Sequence, residues 1–260
     1  MSSQNINALL GNAADDGDLT TASLNILTGV NINAQMQTAL GISVDDVGAA
    51  DDVILMNLLI DDTGSVSQAV DAIIEGHNLT LDALSDSKQA SSILASTSYL
   101  YSKRTLFPFV GVKSATKLDR GNYQANGGST PLYDQSLVML GTSIAKVAEF
   151  SKQGVAARSI NLIITDGDDN ASRARAADVA KVVNDMINAE KHIVAFYGIK
   201  TYGGVAYEQI AQEMGIPKDW IMTSGATASE VRKVMRMFSQ SAVRSSQSAA
   251  SFSKGASFWN

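Results

Sequence analysis

No cysteine occurs in the 260 residues of this chain. That absence removes disulfides, thiolate catalysis and cysteine-ligated zinc together, and it suits a reducing, cytoplasmic setting. Histidine is nearly as scarce, with only His77 and His192. One falls inside a predicted helix and the other starts a predicted strand, so both read as structural and no Ser-His-Asp arrangement is built from them. Basic charge is short as well: 20 Lys and Arg stand against 26 Asp and Glu, a formal net charge of −6. Non-specific nucleic-acid binding needs a basic face that releases counterions, so nucleic acid is not an expected partner. The longest strongly apolar run, Val53–Ile60, falls well below the ~20 residues that cross a bilayer. The N-terminal stretch has neither the basic start nor the apolar run of a secretory signal. A membrane is therefore not expected either.

What remains is ordinary globular composition, 45% hydrophobic and 18% charged, in a chain long enough to bury a substantial core. Residues 1–50 are small and polar, with acidic pairs at Asp15-Asp16 and Asp45-Asp46. They read as an N-terminal extension with a short helix around Asn33–Leu40. Residues 51–243 read as one α/β domain. Residues 244–260 form a Ser/Ala-rich tail whose aromatics, Phe252, Phe258 and Trp259, either anchor in a partner's pocket or pack back on the domain.

Within 51–243, strands alternate with helices. Val53–Ile60 and 159–165 are continuous apolar runs, as expected of strands buried on both faces of a parallel sheet. Strands at 91–101 and 105–112 are joined by only a few residues around Ser102-Lys103-Arg104, which allows only an antiparallel hairpin. That hairpin belongs at a sheet edge, where Pro108 is tolerated. Helices are expected near 67–84, 132–152, 173–190, 205–214 and 228–243, with further strands at 192–199 and 220–224. The pattern defines an open, doubly wound, mostly parallel sheet with one antiparallel edge strand and helices on both faces. In such sheets the ligand lies beyond the C-terminal ends of the strands.

Three unusual turns converge on that end. Asp61-Asp62-Thr63-Gly64-Ser65 follows a buried strand, Gly127-Gly128-Ser129-Thr130 precedes a helix, and Asp166-Gly167-Asp168 follows another buried strand. Each offers hard oxygen atoms on a loop held by rigid elements. Magnesium takes octahedral oxygen coordination with few carboxylates. Hydroxyls from Thr63, Ser65 and Thr130 with carboxylates from Asp61 and Asp166 suit it, and hydroxyl-rich ligation favours Mg²⁺ or Mn²⁺ over Ca²⁺.

Asp61-x-Thr63-x-Ser65, a distant Thr130, and Asp166 in a Thr-Asp-Gly turn resemble the metal-ion-dependent adhesion site of von Willebrand factor A domains. The family motif is Asp-x-Ser-x-Ser, then a distant Thr and a distant Asp; Thr63 departs from it and keeps the hydroxyl. The order of elements from 53 to about 243 is similar to the family's throughout. The resemblance implies that Thr63, Ser65 and Thr130 contact the metal directly in some state, with Asp61 and Asp166 acting directly or through water. It also implies an open coordination position for an Asp or Glu of a partner protein. The chain further resembles bacterial intracellular members of the tellurium-resistance type.

The expected function is a non-enzymatic, cation-dependent protein-binding module, an adaptor or scaffold. One alternative is a structural subunit of a self-assembling or phage-related complex, a homo-oligomer built through the terminal extensions. Another is a hydrolase resembling aspartic proteases, because Asp62-Thr63-Gly64-Ser65 matches their active-site turn. That chemistry needs a second such turn, and none occurs in the chain.

Overall fold

The computed structural model describes residues 5–29, 33–42, 52–201 and 206–246. Six strands, β1 (Asp52–Ile60), β2 (Ile93–Tyr99), β3 (Thr105–Gly111), β4 (Ala156–Thr165), β5 (His192–Lys200) and β6 (Ile221–Gly225), form one sheet in the order β3-β2-β1-β4-β5-β6. All pairings are parallel except β2 with β3. The short connection after β2 does make an antiparallel edge hairpin, and Pro108 lies on that edge strand. β1 is buried from Val53 to Ile60, as its unbroken apolar run requires when helices cover both faces.

The helices of the domain are α4 (Val70–Ser85), α5 (Leu132–Lys152), α6 (Ala176–Asn188), α7 (Tyr207–Glu213) and α8 (Ala228–Ser246). A 3-10 segment, Gly64–Ala69, leads into α4. Helices α4 and α8 pack together closely, and a Cβ on Gly76 would meet Met235 Cγ at 2.6 Å. Helix α8 runs to Ser246, beyond the expected end at 243. Phe252, Phe258 and Trp259 lie outside the described residues.

The described part of the N-terminal extension holds three helices, two more than its sequence announces: α1 (Ile6–Asp15), α2 (Thr21–Gly29) and α3 (Asn33–Ala39). They pack against α5 and α6 and bury Ile6, Leu9, Leu10, Leu27 and Met36 in the main core. This changes the character of α5. Its sequence suggests an amphipathic helix with a wet face, yet nearly every residue from Leu132 to Phe150 is buried, Gln135, Thr142, Lys146 and Glu149 included. The outer face is polar by composition but is covered by α1 and α3. Gly141 permits the closest approach, since a Cβ there would sit 2.5 Å from Met36 Sδ and 3.1 Å from Leu27 Cδ2.

Polar groups enclosed in this way need partners. Lys146 Nζ donates to Glu149 Oε2 at 2.8 Å and to the carbonyl of Ile42. Between α5 and the sheet, Asn57 Nδ2 donates to Ser143 Oγ at 3.0 Å, Ser143 Oγ to Asn161 Oδ1 at 2.6 Å, and Asn161 Nδ2 to Ser159 Oγ at 2.8 Å. Ser159 Oγ in turn meets His192 Nδ1 at 2.8 Å. Asn57 and Asn161 are register partners on β1 and β4, so the chain of bonds runs across the sheet and pins α5 over its centre.

Candidate metal centre

The five expected residues stand at one end of the sheet, beyond β1 and β4. Asp61 directly follows β1 and Asp166 directly follows β4, and both are pinned by the parallel pairing of these strands. Thr63 forms a parallel bridge with Gly127, and Gly64 N donates to Gly127 O at 2.8 Å. The glycine-rich loop before α5 is thereby laid alongside the loop after β1. Gly127 is required by close approach, because a Cβ there would collide with the Tyr101 ring. Thr130, two residues before α5, is held from both sides by Asn170: its N–H donates to Asn170 Oδ1 at 2.7 Å, and Asn170 N donates back to Thr130 O at 3.1 Å.

Side-chain oxygens from three loops thus meet. Thr63 Oγ1 lies 2.8 Å from Ser65 Oγ, and Ser65 Oγ donates to Asp166 Oδ1 at 2.6 Å. Since the one Ser65 proton goes to Asp166, Thr63 is the donor to Ser65. Asp61 Oδ1 accepts from Thr63 N at 2.8 Å. Thr130 Oγ1 approaches the backbone of the Asp166 turn, 3.4 Å from where a Cβ on Gly167 would stand. Exposure is 0% for Asp61, 3% for Thr63, 4% for Asp166 and 5% for Thr130, while Ser65 is half-buried.

Four residues that the sequence reading did not single out support the two carboxylates, and they do so in matching pairs. Asp61 Oδ2 accepts from Thr165 Oγ1 at 2.6 Å, and its carbonyl accepts from Tyr123 Oη at 2.5 Å. Asp166 Oδ2 accepts from Thr201 Oγ1, and its carbonyl accepts from Tyr207 Oη at 2.8 Å. Each aspartate therefore has one threonine on its carboxylate and one tyrosine on its backbone. Burial pushes the Tyr207 phenol up to about 12 and the Tyr123 phenol well above its usual value, so both remain protonated donors. Thr165 was legible as part of the Thr-Asp-Gly turn. Tyr123, Thr201 and Tyr207 carry no local signature.

Electrostatically the centre is short of positive charge. Burial raises the Asp61 carboxyl above its usual range, hydrogen bonds from Thr165 and Thr63 offset part of this, and Asp166 adds repulsion. Among the described residues no Lys, Arg or His forms an ion pair with Asp61 or Asp166. Two neighbouring buried carboxylates without a cation are costly unless something neutralises them. A divalent cation does so, and hard oxygens from two carboxylates and three hydroxyls are a donor set that fits Mg²⁺ or Mn²⁺. Among the described residues no group of three or more His, Cys, Asp or Glu could hold a metal, so a zinc-type site of soft or imidazole ligands has no candidate there.

Asp62 faces elsewhere. Its Oδ1 accepts from Tyr101 N at 2.6 Å and its Oδ2 from Ser102 N at 3.2 Å, which ties down the turn after β2. The shared proton of an aspartic-protease pair needs a second carboxylate against it, and among the described residues no acid is hydrogen-bonded to Asp62. Asp169 and Asp134 are likewise structural: Asp169 Oδ2 accepts from Tyr133 N at 3.2 Å, and Asp134 Oδ1 accepts from Ala174 N at 2.9 Å. Arg173 and Arg175 are exposed.

No protein-family model matches the chain, and no curated protein matches it in sequence. Solved structures do. The chain is similar to the pilus adhesin SpaC from Lactobacillus rhamnosus GG, with a TM-score of 0.54 at 11% identity over 76% of this chain and 31% of that one. It is also similar to proximal thread matrix protein 1 from the mussel byssus, with a TM-score of 0.50 at 16% identity over 72% of this chain and 47% of that one. The chain thus spans less than half the length of either protein. Together with the six-stranded mixed sheet, its antiparallel edge and its flanking helices, these likenesses place the architecture among von Willebrand factor A-like α/β folds. Among the described residues no helix is long and apolar enough to cross a membrane.

Proposed function

We propose that this chain is a non-enzymatic, divalent-cation-dependent protein-binding module, with Asp61, Thr63, Ser65, Thr130 and Asp166 holding Mg²⁺ or Mn²⁺. One observation carries the reading: two buried carboxylates, Asp61 bonded to the Thr63 backbone N–H and Asp166 to the Ser65 hydroxyl that Thr63 also meets, have no cationic side chain to neutralise them among the described residues. A cation held by so few protein charges stays electrophilic and accepts an Asp or Glu carboxylate from a partner. The chain's own residues orient the site: Thr165 and Tyr123 hold Asp61, Thr201 and Tyr207 hold Asp166, and Asn170 holds Thr130. An intracellular role of the tellurium-resistance type is the narrower form of this proposal, and rests on the motif resemblance alone.

The rival reading as a self-assembling subunit relies on the terminal extensions. The described part of the N-terminal extension packs against α5 and α6 of the same chain, which favours the binding module. Calorimetric titration of Mg²⁺ and Mn²⁺ into chelator-treated protein tests the proposal. Saturable one-site binding, weakened in Thr130→Ala and Asp166→Ala, is expected. Binding unaffected by either substitution would place the metal elsewhere.

A further inference from the structure

A second polar site lies on the same rim of the sheet. Residues after β1, after β2 and in the 119–126 loop enclose a recess of about 280 Å³, lined by Asp62, Tyr99, Ser102, Arg104, Gln124 and Asn126 among others. It adjoins the candidate metal centre through the backbone: Asp62 lies between Asp61 and Thr63, and Asn126 N and Gly127 N both donate to Asp62 O. Tyr101, 39% exposed, stands over Gly127 at this junction.

Arg104 is oriented in this recess from two directions. Its Nη2 donates to Asn122 O at 2.8 Å, and the guanidinium carbon sits 5.0 Å from the centre of the Tyr99 ring. Tyr99 is itself fixed, with its hydroxyl donating to Asn122 O at 2.8 Å. Two acids of this region, Asp62 and Asp119, are taken by backbone N–H groups and form no ion pair with the guanidinium. Asp62 accepts from Tyr101 and Ser102, and Asp119 Oδ1 accepts from Gly121 N at 2.7 Å and Asn122 N at 2.9 Å. Among the described residues Arg104 forms no ion pair, and the side-chain amides of Gln124 and Asn126, both exposed, bond to no described protein group. A planar fork of donors with N–H groups left beyond its Asn122 and Tyr99 contacts, beside two exposed amides, matches a carboxylate better than any neutral group.

We propose that this recess binds a second carboxylate of the partner, so that the ligand is an acidic peptide segment with one Asp or Glu directed to the metal and another to Arg104. The proposal rests on the metal-dependent reading for the first carboxylate, whereas the Arg104 contact stands on its own geometry. Two linked contacts bind more tightly than either alone when the linker spans them. An acidic protein gives an acidic peptide no general attraction, so any gain from added carboxylates is local.

The full chain is tested with two probes, octaglutamate and an octapeptide of one glutamate and seven serines, by calorimetry and by the NMR signal of the Arg104 Nε–H. In Mg²⁺, octaglutamate is expected to bind roughly tenfold tighter than the single-glutamate peptide, the scale of one charge-assisted contact. Arg104→Gln removes this gain and leaves the Mg²⁺ titration unchanged. Arg175→Gln, which deletes an exposed cation outside the recess, preserves it. With chelator present, octaglutamate still moves the Arg104 signal, so this contact survives even if the metal reading fails. No movement of that signal in either condition, or equal losses in the two arginine variants, would overturn the proposal.

Discussion

Thr165 Oγ1 donates to Asp61 Oδ2 at 2.6 Å across 104 positions of sequence, from the last residue of β4 to the residue after β1. Parallel pairing of these adjacent strands brings the two ends level. Replacing the hydroxyl by a methyl, Thr165→Val, keeps the shape and leaves a buried carboxylate oxygen without its donor. Hydrogen bonds to charged groups contribute about 1.5–3 kcal/mol. Urea denaturation is expected to show a loss of that order, and an unchanged midpoint would mean that this bond contributes nothing.

The buried pair of Lys146 and Glu149 allows a sharper comparison. Their side chains are 1% and 8% exposed, so Lys146→Met strands a charge under the N-terminal helices. Breaking such a pair costs about 3–5 kcal/mol, whereas replacing both members by apolar residues is often neutral. The double variant Lys146→Met/Glu149→Leu should therefore be more stable than Lys146→Met alone. The opposite ranking in thermal melts would count against the pair as the source of the effect.

Docking of the N-terminal helices depends on the narrow gap at Gly141. Gly141→Val drives a side chain into Met36 and Leu27 and is expected to cost about 1–3 kcal/mol through overpacking. Limited proteolysis gives an independent readout. Cleavage between α1 and α3 should accelerate in the variant, and a wild-type digestion pattern would show that the helices are held elsewhere.

Acid should destabilise the fold through its two histidines. Burial lowers His77 to about 4 and His192 to about 3, with Lys191 adding to the shift at His192. Both rings are neutral in the folded protein at pH values where an unfolded histidine, with its ordinary value near 6.5, takes up a proton. The stability they confer is complete above about 6.5 and declines as the pH falls toward 4, at up to about 1.4 kcal/mol per pH unit for each ring. Carboxylates titrate at the lower end of this window, so the comparison is with His77→Gln and His192→Gln. Each should flatten the stability profile between pH 6.5 and 5, and a slope identical to wild type would remove the histidines as its cause.

The sequence alone determined where strands and helices alternate, because hydrophobic period and run length are local properties of the chain. It also placed Asp61, Thr63, Ser65, Thr130 and Asp166 on loops at one end of the sheet, since each lies at a recognisable strand or helix terminus. Contacts between distant residues were decided only in three dimensions. Thr201 and Tyr207 reach Asp166, and Tyr123 reaches Asp61, through packing that leaves no mark on neighbouring residues. The polar outer face of α5 reads as solvated by composition, yet α1 and α3 bury it, because burial depends on what packs against a helix and not on the helix itself. Arg104 likewise gains its fixed orientation from Tyr99 and Asn122, a relationship that the strand pairing and the 119–126 loop create together.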